Sequence, residues 1–470
     1  MIDLARKPAY ATAMRRHFTD ADPWTFRRDA IAAFRFIRAT LDEASGRVDL
    51  VYAFDDGPEL VETLQFPGAP FTLDAPRRAA VDAALRLLHL IAGVSYYKAA
   101  LPPALVVEGA APDPALAALV ASVYENGLSE FAYRNGLSLR GRIGFKAGAP
   151  AAAAPVLGLR GHALTAIGGG KDSLVTIEAL RAAGVAQSAT FIGSSPLIRA
   201  CAERTGLPVV NIGRQLAPQL FELNKQGAWN GHIPVTAVNS AILVLAALLL
   251  DADQVVFSNE RSASYGSQIP GTGEVNHQWS KGWDFERGFA AYVRGHVAAD
   301  LAYYSLLRPL SELAVARQFA RIDRYDAVFS SCNRNFHLLG ERPQSRWCGI
   351  CPKCEFVFLA LAPFMPKPRL TAIFGHNLLD EAPLAAGFDA LIEYGDHKPF
   401  ECVGEGREAR AALFELASRP VWREDALVRR FARDIAPHIE PVALAPLLQP
   451  QGEHGIPPAL WTRIVETFRT

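Results

Sequence analysis

The chain has 470 residues, half of them apolar, with Lys+Arg and Asp+Glu both at 48 and a formal charge of zero. That length suggests two or three domains and a large core, while the balanced charge lacks the basic excess of a nucleic-acid binder, so no nucleic-acid partner is expected. The N-terminal run MIDLARKPAYATAMRRHF has arginines but no apolar segment behind them, so no secretory signal is read there.

Residues 48–54 (VDLVYAF) and 59–66 (ELVETLQF) read as two strands, broken by the turn residues Asp55, Asp56, Gly57 and Pro58. Asp74 and Pro76 open a helix with Val81, Ala84, Leu85, Leu88 and Ile91 on one face. Asp113 and Pro114 open a second. This is an α+β pattern, and it ends in the linker GAPAAAAP at 148–155. Beyond the linker, strands at 163–167, 189–193, 208–212 and 254–258 alternate with helices, which predicts an α/β fold built on a doubly wound, mostly parallel sheet. The longest wholly apolar run, AILVLAALLL at 241–250, is too short to span a bilayer and suits a buried helix. From about residue 367 the chain reads as helical. The expected division is 1–150, an N-terminal α+β domain; 156–366, the parallel-sheet domain; and 367–470, a helical C-terminal region. The default class is a cytoplasmic enzyme with no membrane partner, and the sequence carries no signal of oligomeric state.

Between the strand at 163–167 and the next helix lies AIGGGKDSLV. Glycines let backbone N–H groups approach an anion, and a helix N-terminus adds unpaired donors and a positive dipole end. Lys171 adds charge, Ser173 a hydroxyl, and Asp172 a carboxylate that can hold magnesium or cap the helix. Neither the Walker A spacing nor the G-x-G-x-x-G fingerprint is present. GG-x-DS resembles the phosphate loop of the PP-loop (N-type) ATP pyrophosphatases, whose usual form is SGGxDS; Gly168 stands where that family carries serine. The resemblance implies a HUP-like PP-loop domain that binds ATP through Gly168, Gly169, Gly170, Lys171, Asp172 and Ser173. It also implies cleavage between the α and β phosphates.

Cys332, Cys348, Cys351 and Cys354 fall within 23 residues, the last three at C-x2-C-x2-C spacing. They can form a tetrahedral thiolate site, with Zn2+ the leading expectation in a structural role. An iron–sulfur cluster, a redox C-x-x-C pair and replacement of one thiolate by His337 are the alternatives. The pattern is similar to the late zinc site of 7-cyano-7-deazaguanine synthases. Cys201 and Cys402 stand apart and read first as core residues.

The strand at 254–258 runs into NERSASYGSQIPGTGEVNHQWSKGWDFE, residues 259–286, at the end of a strand where doubly wound folds carry their sites. Glu260, Arg261, His277 and Lys281 are its candidate catalytic residues: Arg261 to clamp a carboxylate or phosphate, His277 and Lys281 to carry protons. His232 in WNGHIP is expected to satisfy a loop carbonyl.

VYAFDDGPELVETLQFPG, LLHLIAGVSYYK, IGGGKDSLV, SNERSASYGS, VNHQWSK and CGICPKC together resemble the UDP-N-acetyl-α-D-muramoyl-L-alanyl-L-glutamate epimerase family, from about residue 30 to about 400. The resemblance implies a UDP-linked muramoyl peptide substrate, ATP and Mg2+ as co-reactants, AMP and diphosphate as products, and inversion of a glutamyl Cα through an acyl-adenylate. In that setting Cys201 and Cys402 become outside candidates for the proton carriers. The rival readings are another adenylating PP-loop enzyme, such as a deazapurine nitrile synthase, and a nucleotide-binding module without turnover.

Overall fold

The computed structural model describes residues 24–269, 271–336, 342–395 and 398–470. His337, the alternative metal ligand, and residues 1–23 lie outside them.

Eleven strands form along the chain: β1 (Ala33–Asp42), β2 (Arg47–Phe54), β3 (Leu60–Gln65), β4 (Ala104–Val107), β5 (Arg160–Ala166), β6 (Gln187–Ile192), β7 (Val209–Gln215), β8 (Ala252–Phe257), β9 (Ser267–Ile269), β10 (Gly273–Val275) and β11 (Ala302–Ser305). Nine of them make one sheet in the order β11-β8-β5-β6-β7-β3-β2-β1-β4, and β9 and β10 pair as a hairpin. From β11 to β7 every neighbour is parallel, while β7-β3, β3-β2 and β2-β1 are antiparallel. The sheet is therefore mixed α/β, and it runs straight through the boundary expected at 148–155. Thr63, Leu64 and Gln65 pair with Gln215, Arg214 and Gly213, so the N-terminal strands extend the parallel sheet instead of forming a sheet of their own.

Local chemistry sets the helix starts. The Asp74 side chain accepts from the Arg77 N–H, with proline in the first turn, and opens the helix Ala75–Ala92. Asp113 does the same for Pro114–Gly127 by accepting from the N–H groups of Ala115 and Leu116. Val81, Ala84, Leu85, Leu88 and Ile91 are all buried, as the periodicity predicts. The stretch Ala75–Tyr97 is long and apolar enough to cross a bilayer, but 78% of its apolar 18-residue window is buried inside the protein, so it serves as a core helix. It packs on β1 and on the helix Val235–Leu250. The latter contains the apolar run 241–250 and is buried almost all round. After β11 the described residues form only helices and loops.

β5 pairs with β6 on one side and β8 on the other, so the direction of winding reverses between β5 and β8. In open α/β sheets the crevice at that point, outside the carboxyl ends of the strands, is where ligands bind. The glycine loop leaves β5 there, and the 259–286 segment leaves β8 beside it.

Candidate active site

A cavity of about 300 Å3 opens at this crevice. Its walls come from the ends of β5, β6 and β8, the glycine loop, and three distant segments that bring Ser331, Lys353 and Cys402.

The loop is held by its own neighbours. Gly169 has φ +81°, in the left-handed region that favours glycine. Its carbonyl accepts from the Ser330 N–H at 2.9 Å and from the Cys201 thiol at 3.5 Å. A Cβ at Gly170 would lie 2.6 Å from Ser331 Oγ, so any larger residue would force that hydroxyl to turn away from the loop. At Gly168 a Cβ would meet nothing within 4 Å, so there is room for the serine found in PP-loop proteins. The helix Lys171–Ala182 starts at the cavity, with Asp172 and Ser173 in its first turn and lining the wall.

Around the loop sits a network of buried ionic groups. The Lys171 ammonium is fully buried, 2.5 Å from Asp172 Oδ1 and in contact with Glu312. Lys353 lies 3.8 Å from Glu312 and donates to the Cys402 carbonyl. Lys281 Nζ donates to Cys402 Sγ at 3.1 Å. His277 bonds Glu130 through Nδ1 and also reaches the Cys402 thiol. Burial alone would raise the Cys402 thiol, but Lys281, His277 and Lys353 overcome it and hold it down at about 5. His277 is driven the other way: burial lowers it, yet Cys402 and Glu130 raise it to about 9, so the pair rests as thiolate and imidazolium. Glu260 is pushed up to about 8, by burial first and then by the Glu312 and Asp172 carboxylates. A neutral acid and a thiolate therefore line one cavity.

The structure gathers the sequence candidates unequally. Gly168, Gly170, Asp172, Ser173, Glu260 and Lys281 line the cavity; Gly169 and Lys171 support it from behind. His277 also stands behind, with Cys402 in front. Lys281 stays an ammonium, raised by the Cys402 charge against the lowering effect of burial. Arg261 is absent from the lining. Its guanidinium reaches the Pro309 carbonyl at 3.3 Å through one terminal nitrogen. His232 does meet a loop carbonyl, that of His277, and its ring lies 4.2 Å from the His277 ring. Cys201 is buried under the loop and its thiol is pushed up by burial, which suits a packing role.

Two participants carried no sequence signal of their own, Glu130 and Lys353, while Cys402, an outside candidate for proton carrier, lines the cavity. Lys353 was hidden between two cysteines that drew attention to metal. Arg308 was also missed. It is 2% exposed, bonds Glu286 at 2.7 Å, and donates to the Glu260 and Lys281 carbonyls at 2.8 and 2.5 Å, tying together the two halves of the 259–286 segment. Arg308→Met strands Glu286 in the interior, and the expected cost is about 3–5 kcal/mol of stability, read by chemical denaturation.

The thiols of Cys332, Cys348, Cys351 and Cys354 lie within 4.8 Å of one another. Cys351 Sγ and Cys348 Sγ stand 3.5 and 3.7 Å from Cys354 Sγ. A tetrahedral ion with Zn–S bonds of about 2.3 Å requires sulfur–sulfur edges of about 3.8 Å, so the donors and spacing fit zinc. The same knuckle carries Lys353 into the cavity, and Ser331 precedes its first cysteine. It thus fixes one wall of the site.

Fold and cavity define an α/β protein with a glycine loop and opposed ionisable groups at the switch point of its sheet. The model of the MurL N-terminal domain matches residues 25–306, across the boundary expected near 150, and that of the MurL C-terminal domain matches residues 328–445. A relative from Xanthomonas oryzae pv. oryzae is 70% identical over 94% of this chain and 99% of its own length; relatives from a Micromonospora species and Salinispora tropica are each 44% identical, over 91% and 84% of this chain. All three are named UDP-N-acetyl-alpha-D-muramoyl-L-alanyl-L-glutamate epimerase. The chain belongs to the MurL epimerase family.

Proposed function

We propose that this protein inverts the terminal L-glutamate of UDP-N-acetylmuramoyl-L-alanyl-L-glutamate to D-glutamate in the cytoplasm, during peptidoglycan precursor synthesis. It does so by first activating the glutamyl carboxylate with ATP in a PP-loop-type site. What carries this reading is one cavity in which a glycine–lysine–aspartate–serine loop and groups able to take and give protons face the same space.

Epimerisation is nearly thermoneutral, so ATP is required for acidity and not for equilibrium. Removing Cα–H beside a free carboxylate would build a dianion. In the proposed sequence the carboxylate oxygen attacks the α-phosphorus and diphosphate leaves. The resulting mixed anhydride has a carbonyl that accepts the electron pair when Cα–H is removed. Reprotonation on the other face inverts the centre, and water attacks the acyl carbon to release AMP. The chain's part is placement and charge. The N–H groups of the loop and the start of its helix cradle phosphate oxygens, and Ser173 adds a hydroxyl donor. Lys281 and Lys353 offset the negative charge brought by both substrates. Asp172 would hold Mg2+, which would neutralise the phosphates.

Zn2+ would be held by the four clustered cysteines in a structural role. Metal analysis of purified protein is expected to return about one zinc per chain. Its removal by a chelator is expected to lower turnover, because the wall bearing Lys353 and Ser331 loses its anchor. Unchanged turnover by metal-free protein would show that the knuckle does not position that wall.

The test of the function is incubation with ATP, magnesium and the UDP-linked L-Ala-L-Glu muramoyl peptide in deuterated water. The expected products are AMP, diphosphate and D-glutamyl peptide carrying deuterium at Cα. AMP formed only when ammonia is added would point to an amidating enzyme, and no nucleotide turnover to a binding module.

A further inference from the structure

We infer that Cys402 and Glu260 are the two catalytic proton carriers of the inversion, Cys402 working as a thiolate held by Lys281 and by a Glu130–His277 relay, and Glu260 as the neutral acid in the wall of the same cavity. The inference rests on the adenylation reading above and adds the identity of the groups that act at Cα.

Both side chains line the cavity that holds the loop, and they come from separate elements: Glu260 follows β8, and Cys402 precedes the helix Gly406–Ala417. Lys281 Nζ sits 3.1 Å from the sulfur. Behind it the Glu130 carboxylate receives His277 Nδ1–H, and His277 turns its other side to the thiol. This carboxylate–imidazole–thiol order is the general arrangement for activating a sulfur. The backbone at Cys402 is fixed: Lys353 donates to the Cys402 carbonyl, and Gln278 Nε2 donates to the Val403 carbonyl at 3.2 Å. Glu260 is 4% exposed, and its Oε1 has no hydrogen-bond partner among the described residues, as expected of an acid whose partner is a substrate atom.

The groups facing the two carriers act in opposite senses. Cys402 faces Lys281, His277 and Lys353, which overcome burial and hold the thiol at about 5. Glu260 faces Glu312 and Asp172, which join burial in raising it to about 8 against Lys281 and Lys171. Two titratable groups pushed apart in one cavity are the usual sign of an acid–base pair. His277 does not line the cavity, so it is a positioning residue acting through the sulfur.

The step balances without an oxidant or reductant. The thiolate takes the Cα proton and becomes a thiol, and the C–H electron pair moves into the acyl carbonyl as an enolate. The Glu260 carboxylic acid gives its proton to Cα from the opposite face and becomes a carboxylate, while the carbonyl re-forms. One proton has passed from Glu260 to Cys402, and exchange with water restores both groups.

The test uses Cys402→Ser and Glu260→Gln in the full chain, with the L- and the D-glutamyl UDP-muramoyl dipeptides, ATP and magnesium in deuterated water. Each variant is expected to lose Cα exchange from one epimer, by about 10²–10⁴-fold, and to keep it from the other. The two variants should be complementary, and AMP should still form. If Cys402→Ser exchanges both epimers at the wild-type rate, the inference is overturned. Exchange by the wild type without ATP would instead defeat the adenylation reading, leaving the epimer asymmetry to judge the carriers. A second readout needs no turnover. The pH dependence of Cys402 alkylation by iodoacetamide, followed on its peptide by mass spectrometry, should have a midpoint well below that of a free thiol at about 8.5. It should move upward in His277→Gln, and ATP with substrate should protect the thiol. A wild-type midpoint at the free-thiol value would also overturn the inference.

Discussion

Asp172→Asn is expected to reduce diphosphate release by about 10²–10³-fold while leaving the fold intact. The substitution keeps size and shape and removes one charge from the first turn of the helix Lys171–Ala182. Lys171 retains Glu312, so the buried lysine is not stranded. What is lost is the carboxylate that lines the cavity beside the glycine loop, where it would hold the cation that accompanies the phosphates. Diphosphate release is followed directly, and circular dichroism monitors the fold. Normal release by Asp172→Asn would remove the loop from the mechanism.

Lys171→Met should act on stability and activity together. Lys171 is fully buried and meets both Asp172 and Glu312, and Glu312 is itself 2% exposed. Without Lys171 the nearest cation recorded for Glu312 is Lys353 at 3.8 Å, and the Glu260 carboxyl feels two acids with less opposing charge. Breaking a buried pair by removing one partner costs about 3–5 kcal/mol, because the remaining charge stays desolvated. Urea denaturation measures the loss. The double variant Lys171→Met/Glu312→Gln is expected to recover part of it, since neither charge is then left alone. A single variant as stable as the wild type would mean that Glu312 has another partner when Lys171 is gone.

Much of the architecture was legible because it is written locally. The caps at Asp74 and Asp113, the 3.6-residue spacing of buried positions in Ala75–Ala92, and the apolar helix Val235–Leu250 all follow from neighbours in sequence. The glycine loop was legible for the same reason: strand, glycines and helix are contiguous. β1 was overlooked because its alternation fades. Phe34 and Phe36 are buried, and the rest of the strand is partly or fully exposed. The junction of the two halves of the sheet could not be read, since Leu64 finds Arg214 across 150 residues and no local pattern announces it. The buried pair Glu62–Arg214, at 2.7 Å, belongs to the same junction.

The site divides in the same way. Residues within one motif, Gly168 to Ser173 and the four cysteines, could be grouped from spacing. Glu130, Lys353 and Cys402 meet the 259–286 segment only through tertiary packing, and each looks ordinary in its own stretch. Residue type alone suggested His277 and Lys281 as leading proton carriers, with Cys201 and Cys402 as outside candidates. The geometry sets His277 behind a sulfur and keeps Lys281 charged, which gives both a role in holding the thiolate.

The central claim is that the glutamyl carboxylate itself attacks the α-phosphorus of ATP before the stereocentre inverts. Substrate labelled with heavy oxygen in that carboxylate, turned over with ATP in ordinary water, tests it by mass spectrometry of the nucleotide. The account predicts AMP carrying one heavy oxygen on its phosphate, formed together with D-glutamyl product. Inverted product accompanied by unlabelled AMP, by ADP, or by no nucleotide turnover at all would contradict it.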